Sequence, residues 1–384
     1  MFYAIDAVDT LFFRSSSPFD AGVNHAPHSF LPPLPSVYAG ALRSVALPTN
    51  EADPLKNRKT LSRQMKIGFN GLMVNNNFCF PRPLDTMVTE NNNLDLLSLS
   101  PSSAGSYPLP FYLSSNRNSL QKEIEPQGGG CLYETDLRAY LAGASKDLIC
   151  HPLADHYHEE EHIGIQIDKN TGAAQDKKMY HIKMTRPVDK QNNKCSLVVE
   201  AEGVSLPEQA ALKIGGESKV AHLHRLDKSI SLAPVAEEAK VFKLYLATPA
   251  IFTKGWLPWW IDEGTNIGSF AYKKRRIRVK LICAAVGRYI PAGGFGLDPE
   301  NGQAKPREMR YAIPAGSVYF FQILEGTFED ANKLFHQKCL SDYRENKGFV
   351  YDNWDRMRYC DRGFGYCLVG RIGKEQGGEV ICTK

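Results

Sequence analysis

The stretch FLPPLPSVYAGALRSV, residues 30–45, begins extended and then favours a helix. Its prolines hold the first half extended, because proline fixes φ and biases the preceding residue away from the helical conformation. From Ser36, which is placed as an N-cap acceptor, the remaining residues suit a helix. One face of that helix carries apolar residues one turn apart, at Val37, Ala41 and Val45, with Tyr38 and Leu42 beside them. The segment YAIDAVDTLFFR, residues 3–14, alternates like a strand, so the chain is predicted to open with a strand followed by a helix.

The residues up to position 230 continue this pattern into a recognisable order of elements. Two alternating runs around a turn predict a long hairpin at 162–188, and a further strand follows at 195–203. The segment LPEQAALKIGGESKVAHLHRL, residues 206–226, is interpreted as a short helix, a Gly-Gly turn and a last strand. Strand, helix, two strands, helix and strand is the ferredoxin-like arrangement, so residues 1–230 are predicted to form one such domain.

The second half, residues 241–384, repeats the order after a linker at 227–240. Long strands are predicted on both sides of a Gly-rich loop, and a helix with Thr327 as its N-cap is predicted at 327–340. A glycine-rich turn and a last strand follow at 362–372. The predicted fold class is therefore α+β, with two tandem ferredoxin-like domains of the RRM-like kind.

Residues 48–160 interrupt the first domain and are weakly periodic. Asn-rich, Ser-rich and Gly-rich segments such as VNNN, ENNN and PQGGG indicate loops. A short strand is predicted within 75–88 and a short helix within 132–143, ending at Gly143. We interpret the region as an insertion on the first domain.

Composition limits the class of protein. A chain of 384 residues suggests about two domains. No apolar run approaches the ~18 residues of a membrane span, and the N-terminal residues carry acids where a signal peptide carries bases. The nine cysteines form no CxxC pair, which is typical of reduced thiols in the cytoplasm.

A basic segment at 271–288 holds seven Lys and Arg residues and no acid, although the net charge of the whole chain is only +4. In an extended strand, alternate side chains share a face and their heads recur every ~6.6 Å, which suits successive phosphates of a single strand. Exposed sheet faces of ferredoxin-like folds also commonly bind RNA. The alternative interpretation is a solvated outer face. The residues of this row are Lys274, Arg276, Arg278 and Lys280.

Two glycine-rich turns precede the final strands of the two halves, KIGGESKV at 213–220 and DRGFGYCLVG at 361–370. Glycines let backbone N–H groups approach a phosphate, and neighbouring basic residues add charge. An ordinary tight turn also explains such a sequence. Three of the four tryptophans lie together at 256–260, where core packing is the main interpretation and base stacking is the alternative.

The histidines suggest two kinds of chemistry. His151, His156, His158 and His162 lie among carboxylates, but no cysteine joins them at a zinc-site spacing, so we expect no metal and no cofactor. His25 and His28 follow the first strand and offer a general acid–base for RNA cleavage. No second catalytic group is placed by the sequence, and no phosphate-binding loop or hydrolase motif occurs.

Seven blocks of the sequence appear in the order of one known family. The blocks are DTLFFRSSSPFDAG, PPLPSVYAGALRS, EEHIGIQIDKNTGAAQDKKMY, IGGESKVA, YLATPAIFTKGWLP, GGFGLDPENGQAKPREMRYAIPAGSVYFF and GFGYCLVG. Together they resemble the RAMP (repeat-associated mysterious protein) subunit of type III-B CRISPR effector complexes, the Cmr complexes, which binds the 5′ handle of the CRISPR RNA. The resemblance covers nearly the whole chain, and 48–160 is its divergent part.

The resemblance implies a non-catalytic cytoplasmic subunit of an antiviral defence complex, with two ferredoxin-like RAMP domains. It also implies a grip on the 5′ handle and docking to the large polymerase-like subunit and the backbone RAMP subunits. RNA contacts are carried over to Arg14, Ser36, Arg43, Gly215, Gly216, Glu217, Ser218, Lys219, Gly293, Gly294, Lys305 and Arg307. The family supplies no firm role for the basic strand or for the histidine cluster.

The proline-rich opening stretch then has an interpretation. A rigid segment would set the N-terminus of the first helix at a groove, where free N–H groups and the helix dipole favour a phosphate. Ser36 and Arg43 would lie nearby. Two other hypotheses stay open, a RAMP endoribonuclease that processes CRISPR precursor RNA through His25 or His28, and a scaffold that only docks proteins.

Overall fold

A computed structural model describes residues 1–13, 29, 31–46, 61, 64–102, 108–115, 129–144, 147–168, 170–189, 191, 193–236, 238–297, 304–306, 308–341 and 358–377. The architecture is mixed α+β and rich in strands, as the sequence predicts. Within these residues, no helix is both long and apolar enough to cross a membrane.

The strands fall into a first and a second group along the chain. The first group comprises β1 (Phe2–Ala7), β2 (Lys66–Val74), β3 (Asn77–Pro81), β4 (Thr86–Val88), β5 (Leu94–Leu96), β6 (Ser98–Pro101), β7 (Phe111–Ser114), β8 (Gly130–Tyr133), β9 (His151–Pro152), β10 (His158–Ile167), β11 (Ala174–Arg186), β12 (Cys195–Glu202), β13 (Gln209–Lys213) and β14 (Val220–Leu226). The second group comprises β15 (Val241–Leu246), β16 (Ile267–Tyr272), β17 (Arg275–Ala285), β18 (Ile290–Ala292), β19 (Phe295–Leu297), β20 (Ala304–Pro306), β21 (Arg310–Ala312), β22 (Val318–Glu325), β23 (Lys338–Cys339) and β24 (Tyr366–Arg371). The helices are α1 (Pro35–Ala46), α2 (Glu134–Leu141) and α3 (Phe328–Phe335).

The first large sheet has eight strands in the order β13-β14-β1-β12-β2-β3-β8-β9. At its centre β14, β1, β12 and β2 pair antiparallel with their neighbours. β2 lies inside the region that the sequence analysis assigned to an insertion. Its sequence KIGFNGLMV lacks clean alternation because both faces of the strand are buried. The predicted hairpin forms from β10 and β11 and stands apart as a two-stranded sheet.

The first helix begins at Pro35, so Ser36 lies inside the helix and the N-cap prediction is wrong. Proline is favoured at the first helical position because its missing N–H would be unpaired there. The predicted apolar face is confirmed, since Tyr38, Ala41 and Leu42 are buried and Val37 and Val45 pack partly buried against the same core. The Tyr38 hydroxyl donates to the carbonyl of Gly71, which fixes α1 against β2.

The helix predicted just before the Gly-Gly turn is absent, because residues 209–213 form the strand β13. Ala210, Ala211 and Leu212 have good helix propensity, but they pair antiparallel with β14 and α1 packs against them. Tertiary pairing therefore overrides local propensity here.

The second large sheet has the order β16-β17-β22-β15-β24-β23, and its central pairs are antiparallel. The predicted N-cap of its helix is confirmed, since Thr327 and Asp330 form a reciprocal capping box at the start of α3. The apolar face of α3 packs on the sheet with Phe242 and Leu244 of β15. Trp260 is buried in the same core and stacks on Phe335, whereas Trp256 is exposed.

The two sheets share one hydrophobic core through the faces that turn away from α1 and α3. Phe69 of β2 contacts Tyr366 of β24 with ring centroids 5.7 Å apart, and the Tyr245 hydroxyl donates to the carbonyl of Pro81. α2 lies between the sheets and contacts β3, β8 and β24. The expectation that these sheet faces are open platforms is therefore wrong for most of their area, because each covers the other.

A polar cluster is sealed inside this shared core. Lys243 of β15 lies 4.0 Å from the carboxylate of Asp85 and donates to Gln376. The Tyr140 hydroxyl donates to Asp85 at 2.7 Å, and the Lys243 ammonium lies 3.4 Å from the Tyr140 ring centroid. All four side chains are buried. Desolvation lowers the pKa of Lys243 to about 8, against the opposing effect of the Asp85 carboxylate.

We expect Lys243 to make stability rise with pH. Its pKa falls from 10.5 to about 8 on folding, so between these values the unfolded chain binds more protons than the folded chain. Unfolding free energy should therefore increase across this window, by up to about 3 kcal/mol. Urea titrations of the wild type and of Lys243→Met at several pH values measure the difference.

The matched control is Lys240→Met, because Lys240 is an exposed lysine just before β15. Lys240→Met should keep the wild-type dependence on pH, and Lys243→Met should lose the rising component. If both variants show the same dependence of stability on pH, folding does not lower the pKa of Lys243.

Candidate nucleic-acid interface

The segment after β1 is held at its base by hydrogen bonds to three other parts of the first half. The amide of Leu11 donates to the carbonyl of Thr185 in β11, and the Phe13 amide donates to the Ser29 hydroxyl. The Gly216 amide donates to the carbonyl of Phe12. Phe13 and Ser29 therefore lie together at this base. Arg14, His25 and His28 fall between these positions, outside the described residues.

The Gly-Gly turn between β13 and β14 packs directly on this base. Gly215 has φ +75°, and a Cβ there would lie 2.5 Å from the Phe12 carbonyl oxygen. Glu217 and Ser218 follow with φ values of +55° and +52° and are exposed at the tip. The glycines thus have a structural role, and the Gly216 amide is engaged by Phe12 rather than free for a phosphate. RNA contact by this turn stays a prediction.

Lys219 ends the turn and joins a network of charges. Its ammonium donates to the Thr10 hydroxyl at 2.7 Å and lies 3.4 Å from Asp9. Arg186 of β11 pairs with Asp9 at 2.7 Å and also with Glu160 of β10. The hydrogen bond from Arg186 holds the pKa of Asp9 below its usual range. The network ties the hairpin to the turn, and nothing in the local sequence of the hairpin indicated it.

The start of α1 meets the glycine-rich turn of the second half. Leu34, two residues before Ser36, packs against the small cluster formed by Ile251, Ala292, Ala312 and Phe364. The carbonyl of Gly363 in that turn accepts hydrogen bonds from Asn70 and Thr248. Asn70 lies in the region that the sequence analysis set aside as an insertion. The proline segment therefore connects the Gly-Gly turn of the first half with the glycine turn of the second.

Two of the second-half residues carried over from the family, Gly293 and Gly294, lie beside a small antiparallel ribbon of β18 and β21. This ribbon contributes Ala292 and Ala312 to the same cluster as Phe364. Gly293 and Gly294 follow β18 directly. Lys305 lies in β20, with its side chain outside the described part of the structure, and Arg307 is also outside it. Arg43 lies in the third turn of α1, where its Nε donates to the Ala39 carbonyl.

The basic row lies on β17, with Arg276, Arg278 and Lys280 on one face and Lys274 in the turn before the strand. The predicted shared face is thus present for three of the four residues. Arg278 pairs with Glu325 of β22 at 2.8 Å. Arg276 is about 30 Å along the strand from Ala285, after which the chain enters the ribbon. Arg276 therefore lies at the end of β17 away from the ribbon and Lys280 in the middle of the strand, and contact of the row with RNA stays a separate prediction.

The histidines are dispersed in the structure. His151 stacks on Tyr133 with ring centroids 3.9 Å apart, and burial lowers its pKa. His156 is buried near Cys131, whose pKa is lowered to about 6 by its hydrogen bond with the Cys79 thiol and by the neighbouring imidazole. In the described parts of the chain, no group of three His, Cys, Asp or Glu residues is placed to hold a metal ion. The proximity of Cys131 to His156 had no signal in the sequence spacing.

Comparisons with known proteins support the family that the sequence blocks resemble. A family model described as "CRISPR-associated protein (Cas_Cmr3)" matches residues 3–372. A chain in "Cryo-EM structure of the Type III-B Cmr-beta bound to cognate target RNA" is 17% identical over 83% of this chain and 86% of that chain, with a TM-score of 0.49. A chain in the structure of that complex "bound to cognate target RNA and AMPPnP, state 1" has the same identity and coverage and a TM-score of 0.47. At this similarity the two chains add nothing to the assignment. None of the curated proteins matches the chain.

We expect Gly215→Ala to destabilise the protein more than a substitution at an open glycine of similar φ. Gly172, in the turn between β10 and β11, has φ +69° and nothing within 4 Å of a built Cβ. Gly172→Ala should therefore cost only the left-handed conformation, about 1–2 kcal/mol. Gly215→Ala adds the clash with the Phe12 carbonyl.

Thermal unfolding of both variants measures the difference. A larger fall in melting temperature for Gly215→Ala is expected, and equal falls would contradict the close approach of this turn to Phe12.

Proposed function

The chain belongs to the Cas_Cmr3 family of CRISPR-associated proteins, and we propose that it is a non-catalytic RNA-binding subunit of a type III-B effector complex. In this proposal the protein grips the 5′ handle of the CRISPR RNA in the cytoplasm and serves antiviral defence. The family match over residues 3–372 carries the proposal, because it spans both halves of the chain.

The two large sheets support the interpretation as tandem ferredoxin-like RAMP domains. The core strands of the first half, numbered one to four in chain order, are β1, β2, β12 and β14, and they lie in the sheet in the order four, one, three, two. Those of the second half are β15, β17, β22 and β24, and they lie in the order two, three, one, four. Both are the antiparallel ferredoxin-like order. Each half has one crossover helix among its described residues, α1 before the second core strand in the first half and α3 before the fourth in the second.

The proposed RNA path follows the edge of the molecule rather than a sheet face. It starts at the Gly-Gly turn and the base formed by Phe12 and Ser29, follows the proline segment to α1, and reaches the ribbon at Gly293. Contacts within the small cluster of Leu34, Ala292 and Phe364 join these elements. The open positions along this path are loops and turns, which is where a rigid scaffold usually presents binding residues.

The protein partners in this proposal are the large polymerase-like subunit and the backbone RAMP subunits of the same complex. The absence of catalysis is also part of the proposal. The competing hypothesis of a RAMP endoribonuclease requires His25 or His28, which lie outside the described residues.

A single experiment tests RNA binding and catalysis together. The purified full chain is mixed with labelled repeat-containing RNA and with a control RNA that lacks the repeat, and both are scored for gel shift and for cleavage. A shift specific for the repeat, without products, supports the proposal. Products that disappear in His25→Ala with His28→Ala would instead establish the endoribonuclease, and neither a shift nor products would leave the docking scaffold.

The basic row gives a further expected outcome. Replacing all four residues by Ala should weaken RNA binding and reduce the salt dependence by about one unit of slope for each phosphate that the variant no longer neutralises. The four substitutions are Lys274→Ala, Arg276→Ala, Arg278→Ala and Lys280→Ala. Binding constants over a salt series provide the measurement.

Lys333→Ala is a matched control for charge, because Lys333 is an exposed lysine on α3 that pairs with Glu329. It should leave the slope unchanged. If the fourfold variant also keeps the wild-type slope, β17 does not contact RNA, although the proposed function itself would stand.

A further inference from the structure

The ribbon of β18 and β21 has an inner and an outer face. Its inner face packs on Ile251 and Phe364 through Ala292 and Ala312. Since side chains alternate along a strand, the residues between and beyond these positions point outward. We call this surface the outer face of the ribbon. Its residues are Tyr289, Pro291, Gly293, Met309 and Tyr311.

Two tyrosines dominate the outer face. Tyr289 is 63% exposed and Tyr311 is 60% exposed, whereas no other described aromatic residue exceeds 43%. Their ring centroids are 4.5 Å apart at an interplanar angle of 62°. Each ring therefore packs against the other. Both are exposed to solvent on a ribbon whose other face packs in a small core.

The surroundings of the pair leave room for a flat ligand. Gly293 has no side chain, and a Cβ there would lie 3.0 Å from the Met309 methyl group, so Met309 extends across this position. Met309 is itself half exposed. The result is a continuous aromatic and apolar strip without a bulky side chain between the tyrosines and the glycine.

Groups that favour an anion flank this strip. Arg288, directly before Tyr289, is exposed and makes no ion pair within the described residues. Arg310 shares the register of the inward Ala312 on β21 and pairs with Glu308 at 2.6 Å, so it is not counted among these groups. The amides of Gly293 and Gly294 donate to no backbone carbonyl in the described part of the chain. Cations and free N–H groups next to exposed rings are the combination that binds single-stranded nucleic acid, through phosphate contacts and base stacking.

We propose that Tyr289 and Tyr311 form a stacking platform for unpaired bases of single-stranded RNA. This inference rests on the proposed RNA-binding function and adds to it the residues that hold bases rather than phosphates. Stacking tolerates any base, because every base has a π face. The platform therefore contributes affinity for unpaired RNA, and sequence preference must come from other contacts.

RNA fits the outer face better than a protein partner does. The core of a protein interface is depleted of charge, whereas the exposed Arg288 directly precedes Tyr289 at the edge of this strip. The two rings meet edge to face, so they do not stack on each other and the face of at least one ring is left available. A duplex cannot use the platform, because its bases are stacked on one another.

The test compares three versions of the full chain by fluorescence anisotropy with single-stranded repeat-containing RNA over a salt series. The double variant Tyr289→Ala with Tyr311→Ala should bind about 5- to 150-fold more weakly for each stack that is removed. The slope of log K against log salt should stay that of the wild type, because every phosphate contact is kept. The matched double variant with Phe at both positions keeps the rings and should bind like the wild type.

Each outcome has a defined meaning. Wild-type affinity in the double Ala variant, with the wild type binding RNA, overturns the platform and leaves the proposed function intact. No binding by the wild type overturns both. An equal loss of affinity in the Phe variant would assign the effect to the hydroxyl groups. An equal loss of affinity of the Ala variant for the same RNA annealed to its complement would show that the rings do not hold unpaired bases. Either result overturns the proposal. Melting temperatures of all three versions exclude unfolding as the cause, since both tyrosines are mostly exposed.

Discussion

The constraint on which the rest of the structure depends is that the two sheets use one another as the cover for their apolar faces. Each sheet packs α1 or α3 on one face, and its other face, which packs against the other sheet and α2, would be exposed if the halves separated. Burial of this shared face is the main favourable free energy that joins the halves. The Lys243 and Asp85 cluster sits inside that contact and must be fully hydrogen-bonded to be tolerated there.

The same constraint moves the candidate RNA-binding groups to the edge of the molecule. The parts of a sheet face that pack against another sheet cannot receive a nucleic acid, so the proposed contacts fall on turns, on the ribbon and on the exposed part of β17. The Gly-Gly turn illustrates the consequence. Gly215 is required by its contact with Phe12, and the turn is thereby held rigidly beside the segment that continues to Arg14. A structural role and a binding role are therefore compatible at this position.

Charge marks one candidate surface and does not by itself locate an RNA-binding site. The basic row on β17 is the most conspicuous charged feature of the sequence, it reaches from the turn before the strand to mid-strand, and Arg278 pairs with Glu325. Exposed ion pairs of this kind contribute little to stability, about 0–1 kcal/mol. The ribbon has fewer charges, but it combines them with two exposed rings and two glycines. A binding site is defined by the groups that lie together in space, and the number of Lys and Arg residues in a sequence segment does not give this information.

The sequence by itself determined the strands with clean alternation, the hairpin at β10 and β11, and α2 and α3, because periodicity and the Thr327 cap are local properties. It also determined the family, through irregular blocks spread along the chain. Only the tertiary structure decided that residues 209–213 form a strand and that β2 lies in the main sheet. These outcomes depend on pairing with β14 and on burial of both faces of β2. The periodicity of a segment does not show which distant part of the chain pairs with it or buries it.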